Sequence, residues 1–173
     1  MDFQSLVDEH YEGLYRFAFS LAKNSEDAAD LTQQTYAIWA RKQNQINDPS
    51  KVKSWLFTTL YREFLNQKRR QKKFVSDEPD LPERMPFDKK EPFLEQIDST
   101  QLMSCLSQLD EMHRTPLSLF YLQDYSYKEI SEILDLPMGT VMSRLNRAKS
   151  QLRETILQSL TQPDILSFPQ LDK

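Results

Sequence analysis

Glycine is nearly absent from this chain, with only Gly13 and Gly139 among 173 residues, and Cys105 is the single cysteine. So little glycine leaves no Gly-rich phosphate-cradling loop and favours helical modules. A lone cysteine cannot form an internal disulfide, which points to a reducing cytoplasm. No secretory signal pattern is present, and no apolar run approaches the roughly 20 residues that cross a bilayer, so membrane insertion is not expected. Histidine is scarce too. His10 and His113 stand far apart, Cys105 lies on an apolar helical face, and the carboxylates Glu26, Asp27 and Asp30 have no histidine partner in sequence. That leaves neither a catalytic constellation nor metal-ligand spacing, so no enzymatic activity, metal or cofactor is expected. A hydrophobic fraction of 39% beside 28% charged residues predicts small bundles with wide wet surfaces rather than one deep core with a cavity.

What the chain does have is charge sorted by position. The net charge is −4, yet residues 2–30 hold seven acidic and two basic side chains, residues 62–73 six basic and one acidic, and residues 77–95 seven acidic and three basic. From Gly139 to Arg153 there are four basic residues and no acidic one. Local patches, not the total, decide what such a surface attracts.

The second basic patch sits in the most informative stretch, Ser126 to Arg153. Ser126 followed by Glu129 is a capping box, which satisfies two orphan backbone N–H groups and predicts a helix start. Ile130, Ile133 and Leu134 give that helix an apolar stripe, and Asp135-Leu136-Pro137 stops it, because proline cannot donate inside a helix. In the helix that follows, Val141, Leu145, Ala148 and Leu152 recur at helical spacing and point inward, leaving Ser143, Asn146, Arg147 and Ser150 on the opposite face. A capped helix, a tight break and a second helix with a polar, basic outer face is the pattern of a DNA-reading helix-turn-helix.

Upstream, residues 1–74 alternate helical segments and short breaks. Phe3, Leu6, Val7, His10, Leu14, Phe17 and Leu21 form one apolar face. After Lys23-Asn24-Ser25, Ser25 is expected to cap a second helix with Ala28, Leu31, Thr35, Ile38 and Trp39 inward. A polar loop over residues 43–53 precedes a long aromatic helix from Ser54 that ends in a basic run. Residues 75–94, rich in proline and charge, read as a flexible linker; residues 95–160 form the second module, and residues 161–173 a loose tail. The fold class expected is all-α, two small helical domains joined by that linker. Opening a duplex requires aromatic side chains that stack on single-stranded bases and cations that hold the backbone. Trp55, Phe57, Tyr61 and Phe64 interleaved with Arg62, Lys68, Arg69 and Arg70 supply both, with Trp55 and Phe64 expected inside and Tyr61 exposed.

Together these residues resemble the extracytoplasmic-function (group IV) sigma factors of bacterial RNA polymerase, over about residues 6–157. Asp27 to Tyr36 resembles the family's second-region helix, Ser54-Trp55-Leu56-Phe57 the segments after it, and the string Gly139 to Ala148, GTVMSRLNRA, its region-four signature. The resemblance implies a promoter-melting domain and a minus-thirty-five-reading domain. It implies a core-polymerase docking face at Asp30, Gln33 and Gln34, meeting the clamp of the largest subunit, with the flap region as the contact for the second domain. A minus-ten surface follows at Asn47, Asp48, Ser50, Lys51, Tyr61, Arg62, Lys68 and Arg69, the loop 47–51 falling where the family holds a flipped base. The minus-thirty-five surface falls on Met142, Ser143, Arg144, Asn146, Arg147 and Lys149; of these, Ser143, Asn146 and Arg147 are expected at base edges, and Arg144 and Lys149 at phosphates. Promoter DNA and core polymerase are the implied partners, with an anti-sigma factor or a Ser/Thr kinase as candidate regulators.

This chain departs from the family at several positions. Ala29 and Gln34 stand where members often carry acidic residues, Arg62 and Asn66 where many have Asn and Asp, and Met142 where a basic residue is common. Because the docking face has lost negative charge, Thr32 and Thr35 become candidate phosphorylation sites that would restore it. The alternative reading is a stand-alone helix-turn-helix regulator, which would need no melting helix and would bind palindromes as a dimer.

Overall fold

The computed structural model describes residues 3–46, 48–71 and 97–161, and within them seven α-helices and no strand. The expected linker at 75–94, the tail beyond Thr161 and Asn47 lie outside the described residues.

Helix α1 (Phe3–Ala22) buries Leu6, His10, Leu14, Phe17 and Leu21 of the expected apolar face, together with Ala18; Val7 is half-buried, and Phe3, expected inward, is 45% exposed. It ends where Lys23 adopts a left-handed φ of 62°. Helix α2 (Ser25–Lys42) is capped by Asn24, not Ser25: the Asn24 Oδ1 accepts from the Asp27 N–H at 2.8 Å, and Ser25 is already the first helical residue. Two short 3-10 turns, Gln43–Gln45 and Pro49–Lys51, lead into α3 (Val52–Gln71), whose buried side chains are Val52, Leu56, Phe57, Leu60 and Phe64.

In the second half, α4 (Ser99–Ser107) opens with a capping box between Asp98 and Gln101. Helix α5 (Glu111–Gln123) is buried along most of its length and stops at Asp124, which takes a left-handed φ of 58°. Helix α6 (Tyr127–Leu134) carries the expected capping box: the Glu129 carboxylate accepts from the Ser126 N–H at 2.8 Å, and the Ser126 hydroxyl accepts from the Glu129 N–H at 3.3 Å. Asp135, left-handed at φ 54°, ends it, and α7 (Met138–Thr161) follows directly after Pro137. Val141, Leu145, Ala148 and Leu152 are buried as the spacing predicts.

The two halves pack on one another. Helix α1 lies against α5 and α3 against α6, and a single hydrophobic cluster runs from Leu6 through Phe57 to Ile156. Phe57 sits at the seam, with Phe17 at 5.5 Å on its own side and Tyr125 edge-on at 5.4 Å on the other.

Candidate nucleic-acid interface

Three surfaces carry the expected site residues. The first is the outer face of α2, where Asp30, Gln33 and Gln34 are exposed side by side, and Gln34 accepts a hydrogen bond from Gln67 of α3 at 3.0 Å. Thr32 and Thr35 do not belong to it. Both are fully buried, and their hydroxyls donate to the carbonyls of Ala28 and Leu31, each at 2.8 Å. A kinase could not reach either hydroxyl in the folded chain, so the expected phosphorylation sites are corrected to core threonines. Thr32 and Thr35 lie three residues apart on the inward face, and the turn of 100° per residue carries Gln33 and Gln34 between them outward.

The second surface is the loop between α2 and α3 with the outer side of α3. Lys42, Gln45, Ile46, Asp48, Lys51 and Trp55 line an open pocket of about 400 Å³. Trp55, expected inside, is half-buried and forms one wall of it. Asp48 and Ser50 hold each other: the Asp48 carboxylate accepts from the Ser50 N–H at 3.0 Å and from its hydroxyl at 2.7 Å. Those two bonds pull the Asp48 carboxyl below its ordinary pKa. The pair shapes the turn, and the other side chains lining the pocket are Lys42, Gln45, Ile46, Lys51 and Trp55. Lys42, at the end of α2, and Gln45, in the 3-10 turn that follows it, also line the pocket; neither was among the residues expected at a site. The only signal was an aromatic residue one helical turn beyond Lys51.

Along α3, Arg62, Arg69 and Arg70 are exposed. Tyr61 is not the exposed aromatic that was expected. It is half-buried against the second half of the chain, close enough to Glu111 and Arg144 to feel both, and burial raises its hydroxyl pKa. Lys68 donates to Glu111 of α5 at 2.6 Å, with the Phe64 ring 5.5 Å away.

The third surface is α7. Met142, Arg144, Asn146 and Arg147 are half-buried. Ser143 is 1% exposed, and its hydroxyl donates back to the Thr140 carbonyl at 3.1 Å, so in this arrangement it reaches no base edge. Helical periodicity identifies the side that faces a helix's own core and says nothing about cover on the other side. Lys149, expected at a phosphate, is 6% exposed. Its ammonium donates to the Tyr127 hydroxyl at 3.0 Å and lies 4.6 Å from the Phe120 ring centre and 5.6 Å from that of Tyr127. Its place beside the expected reading face, and its charge, had put it outside. A lysine stem is long enough to lie along apolar surface while its head finds aromatic faces.

Among the described residues no cluster of three or more His, Cys, Asp or Glu is placed to hold a metal, and no helix is long and apolar enough to cross a membrane.

Comparison with known proteins bears on this geometry. Residues 6–74 match the family description "Sigma-70 region 2", and residues 99–152 match "Sigma-70, region 4". The ECF RNA polymerase sigma factor SigM of Bacillus subtilis is 31% identical over 152 residues, covering 85% of this chain and 93% of that protein. The ECF RNA polymerase sigma factor SigE of Mycolicibacterium smegmatis is 34% identical over 155 residues, covering 86% of this chain and 59% of the longer relative. Among solved structures, the sigma factor RpoE of Bartonella quintana, in complex with the anti-sigma factor NepR, superposes with a TM-score of 0.69 at 26% identity, covering 90% of this chain and 97% of that one.

Proposed function

Because the chain belongs to the sigma-70 family, in its extracytoplasmic-function group, we propose how its named surfaces divide the work of promoter-specific transcription initiation. A sigma factor is an initiation factor: it binds core RNA polymerase, brings it to promoter DNA and helps open the duplex. The exposed Asp30, Gln33 and Gln34 on α2 dock on the clamp of the polymerase's largest subunit, and the second half meets the flap region. The pocket walled by Trp55 receives an unstacked base of the minus-ten element, with Lys42 and Lys51 beside it for the flanking phosphates. The basic side of α3, Arg62, Lys68, Arg69 and Arg70, tracks the single strand, and Tyr61 offers a stacking face. On α7, Arg147 and Asn146 read base edges of the minus-thirty-five element, and Arg144 holds phosphate. The cytoplasm is where these partners are met. Since RpoE is held by an anti-sigma factor, an anti-sigma factor is the regulator we propose here as well.

The observation that carries this reading is the joint presence of the pocket at the head of α3 and the capped helix-turn-helix of α6 and α7. A stand-alone regulator would use only the second, and the match over residues 6–74 disfavours it. Transcription in vitro with purified core polymerase tests the assignment. Core bound to this chain is expected to initiate at a promoter that core alone ignores, and the Trp55→Ala chain is expected to bind core normally while failing to open the duplex. Wild-type opening by Trp55→Ala would remove the pocket from the mechanism.

A further inference from the structure

A helix-turn-helix meets base edges with the N-terminal residues of its second helix, so the first two turns of α7 decide what this chain can read. On their open side those turns are apolar. Met138 is 40% exposed, and Met142, four residues on and therefore on the same side of the helix, is half-buried. The core cluster takes Val141, Leu145, Ala148 and Leu152 from α7 and neither methionine. Asn146 continues the row after another four residues, whereas Ser143, the polar side chain expected at a base edge, is enclosed and bonded to the Thr140 carbonyl. Gly139 lies next to Met138 and is exposed. Nothing in the fold requires a glycine there: its φ is not positive, and a Cβ would meet nothing within 4 Å. A bare position on a helix, where alanine has the better propensity, suits a close approach from outside.

What approaches this end of α7 is a polyanion, since residues 139–153 hold four basic side chains and no acidic one. The two methionines therefore present carbon and sulfur to the groove. A thioether donates no hydrogen bond and accepts only weakly. Set against the O6 and N7 of guanine, or the amino groups of adenine and cytosine, it strips a polar group of water and returns no partner. One base offers an apolar group in the major groove, the C5-methyl of thymine. We propose that Met142, with Met138 beside it, reads a thymine methyl in the minus-thirty-five element. This chain then takes a T·A pair at the place where the basic residue common in the family would take guanine. Side chains four residues apart on a helix stand about 5 to 6 Å from one another, and successive base pairs rise about 3.4 Å, so the thymine falls within about two base pairs of the base met by Asn146.

The inference rests on the proposed placing of α7 in the minus-thirty-five groove, and its test separates the two. Holoenzyme assembled from core polymerase and the full chain selects promoters from a pool randomised over the minus-thirty-five element. The parent is expected to fix a thymine that the Met142→Arg chain exchanges for guanine. Each fixed thymine is then replaced in turn by deoxyuridine, which removes one methyl group and leaves every hydrogen-bonding group in place. One such replacement is expected to weaken binding of the parent holoenzyme about fourfold, the worth of one buried methylene, and to leave the Met142→Ala holoenzyme unaffected. The change lies in the DNA, so a misfolded variant cannot imitate the parent's loss. Equal affinity of the parent for thymine and deoxyuridine at every position, or the same selected element with Met142→Arg, would overturn the methyl contact while leaving α7 as the reading helix. A pool that stays random over the element would overturn both.

Discussion

Removing Lys149 separates two roles that a lysine on a DNA-reading helix can have. Were it a phosphate contact, Lys149→Ala would leave stability alone and reduce the salt dependence of promoter binding by close to one unit of slope, about 0.9 per neutralised phosphate. The structure puts the ammonium elsewhere, on the Tyr127 hydroxyl and over the Phe120 ring. A desolvated cation over an aromatic face contributes on the order of 1 to 2 kcal/mol, and the hydrogen bond about 1 kcal/mol. Against this stands the cost of burying the charge, so the net loss expected for Lys149→Ala is about 2 kcal/mol. For a chain of this length that corresponds to a fall in Tm of roughly 4 to 8 °C. Lys149→Met keeps most of the stem in its apolar bed and is expected to lose about half as much. Urea denaturation followed by circular dichroism gives the stability, and fluorescence anisotropy of holoenzyme on promoter DNA at four salt concentrations gives the slope. Unchanged stability together with a slope reduced by one would refute the structural role and restore the phosphate contact read from sequence.

Four further outcomes follow from the same geometry. Asp30→Arg should weaken competition for core polymerase while leaving the fold intact, because Asp30 is exposed; equal competition by the variant and the parent would exclude this face. Thr35→Val, which keeps the volume and loses only a bond to the helix's own carbonyl, should cost under about 1 kcal/mol, whereas Thr35→Glu buries a carboxylate and should cost 3 kcal/mol or more on that scale, as thermal melts would show. Arg147→Ala should lower transcription from a matched minus-thirty-five element by about 1 to 3 kcal/mol more than from a mismatched one, and an equal loss on both would remove it from base reading. Glu129 is held below the ordinary glutamate range by its bonds to the Ser126 hydroxyl and N–H. Its folded-state pKa is depressed, so its contribution is present above the unfolded value, near 4.3, and is lost as pH falls through the folded one. Ser126→Ala should therefore destabilise the chain by about 1 kcal/mol at neutral pH and by less in acid, measured by denaturation at both.

Features that depend on neighbours along the chain were legible in the sequence. The capping box at Ser126 and Glu129, the stop at Asp135 and Pro137, and the inward stripe of α7 are all local, since each is fixed by residues within one or two helical turns. What the sequence hid is set by contacts between distant segments. The positions of Tyr61 and Ser143 depend on what lies over the outer faces of α3 and α7, and a helical period carries information about one interface only. Lys149 was misplaced for a related reason: charge predicts exposure on average, but Phe120 and Tyr127 come from other helices to receive it. Thr32 and Thr35 were assigned by reasoning from absent carboxylates instead of from the helix's own period, which already put Thr35 inward. Gly13 shows where a trace of the distant contact did reach the sequence. In a chain with two glycines, one in the middle of an otherwise regular amphipathic helix conflicts with local propensity, and such a conflict persists when a contact elsewhere requires it. Here that contact is Gln123, 110 residues away and in the other half. If the halves were independent bodies on a tether, nothing on α1 would oppose a side chain at position 13, and Gly13→Ala would simply strengthen the helix. In the packed arrangement the Gln123 amide, the far end of a flexible side chain, must swing aside and lose its bond to Gly13, so Gly13→Ala is expected to gain less than the roughly 1 kcal/mol of helix propensity alone, as thermal melts would show.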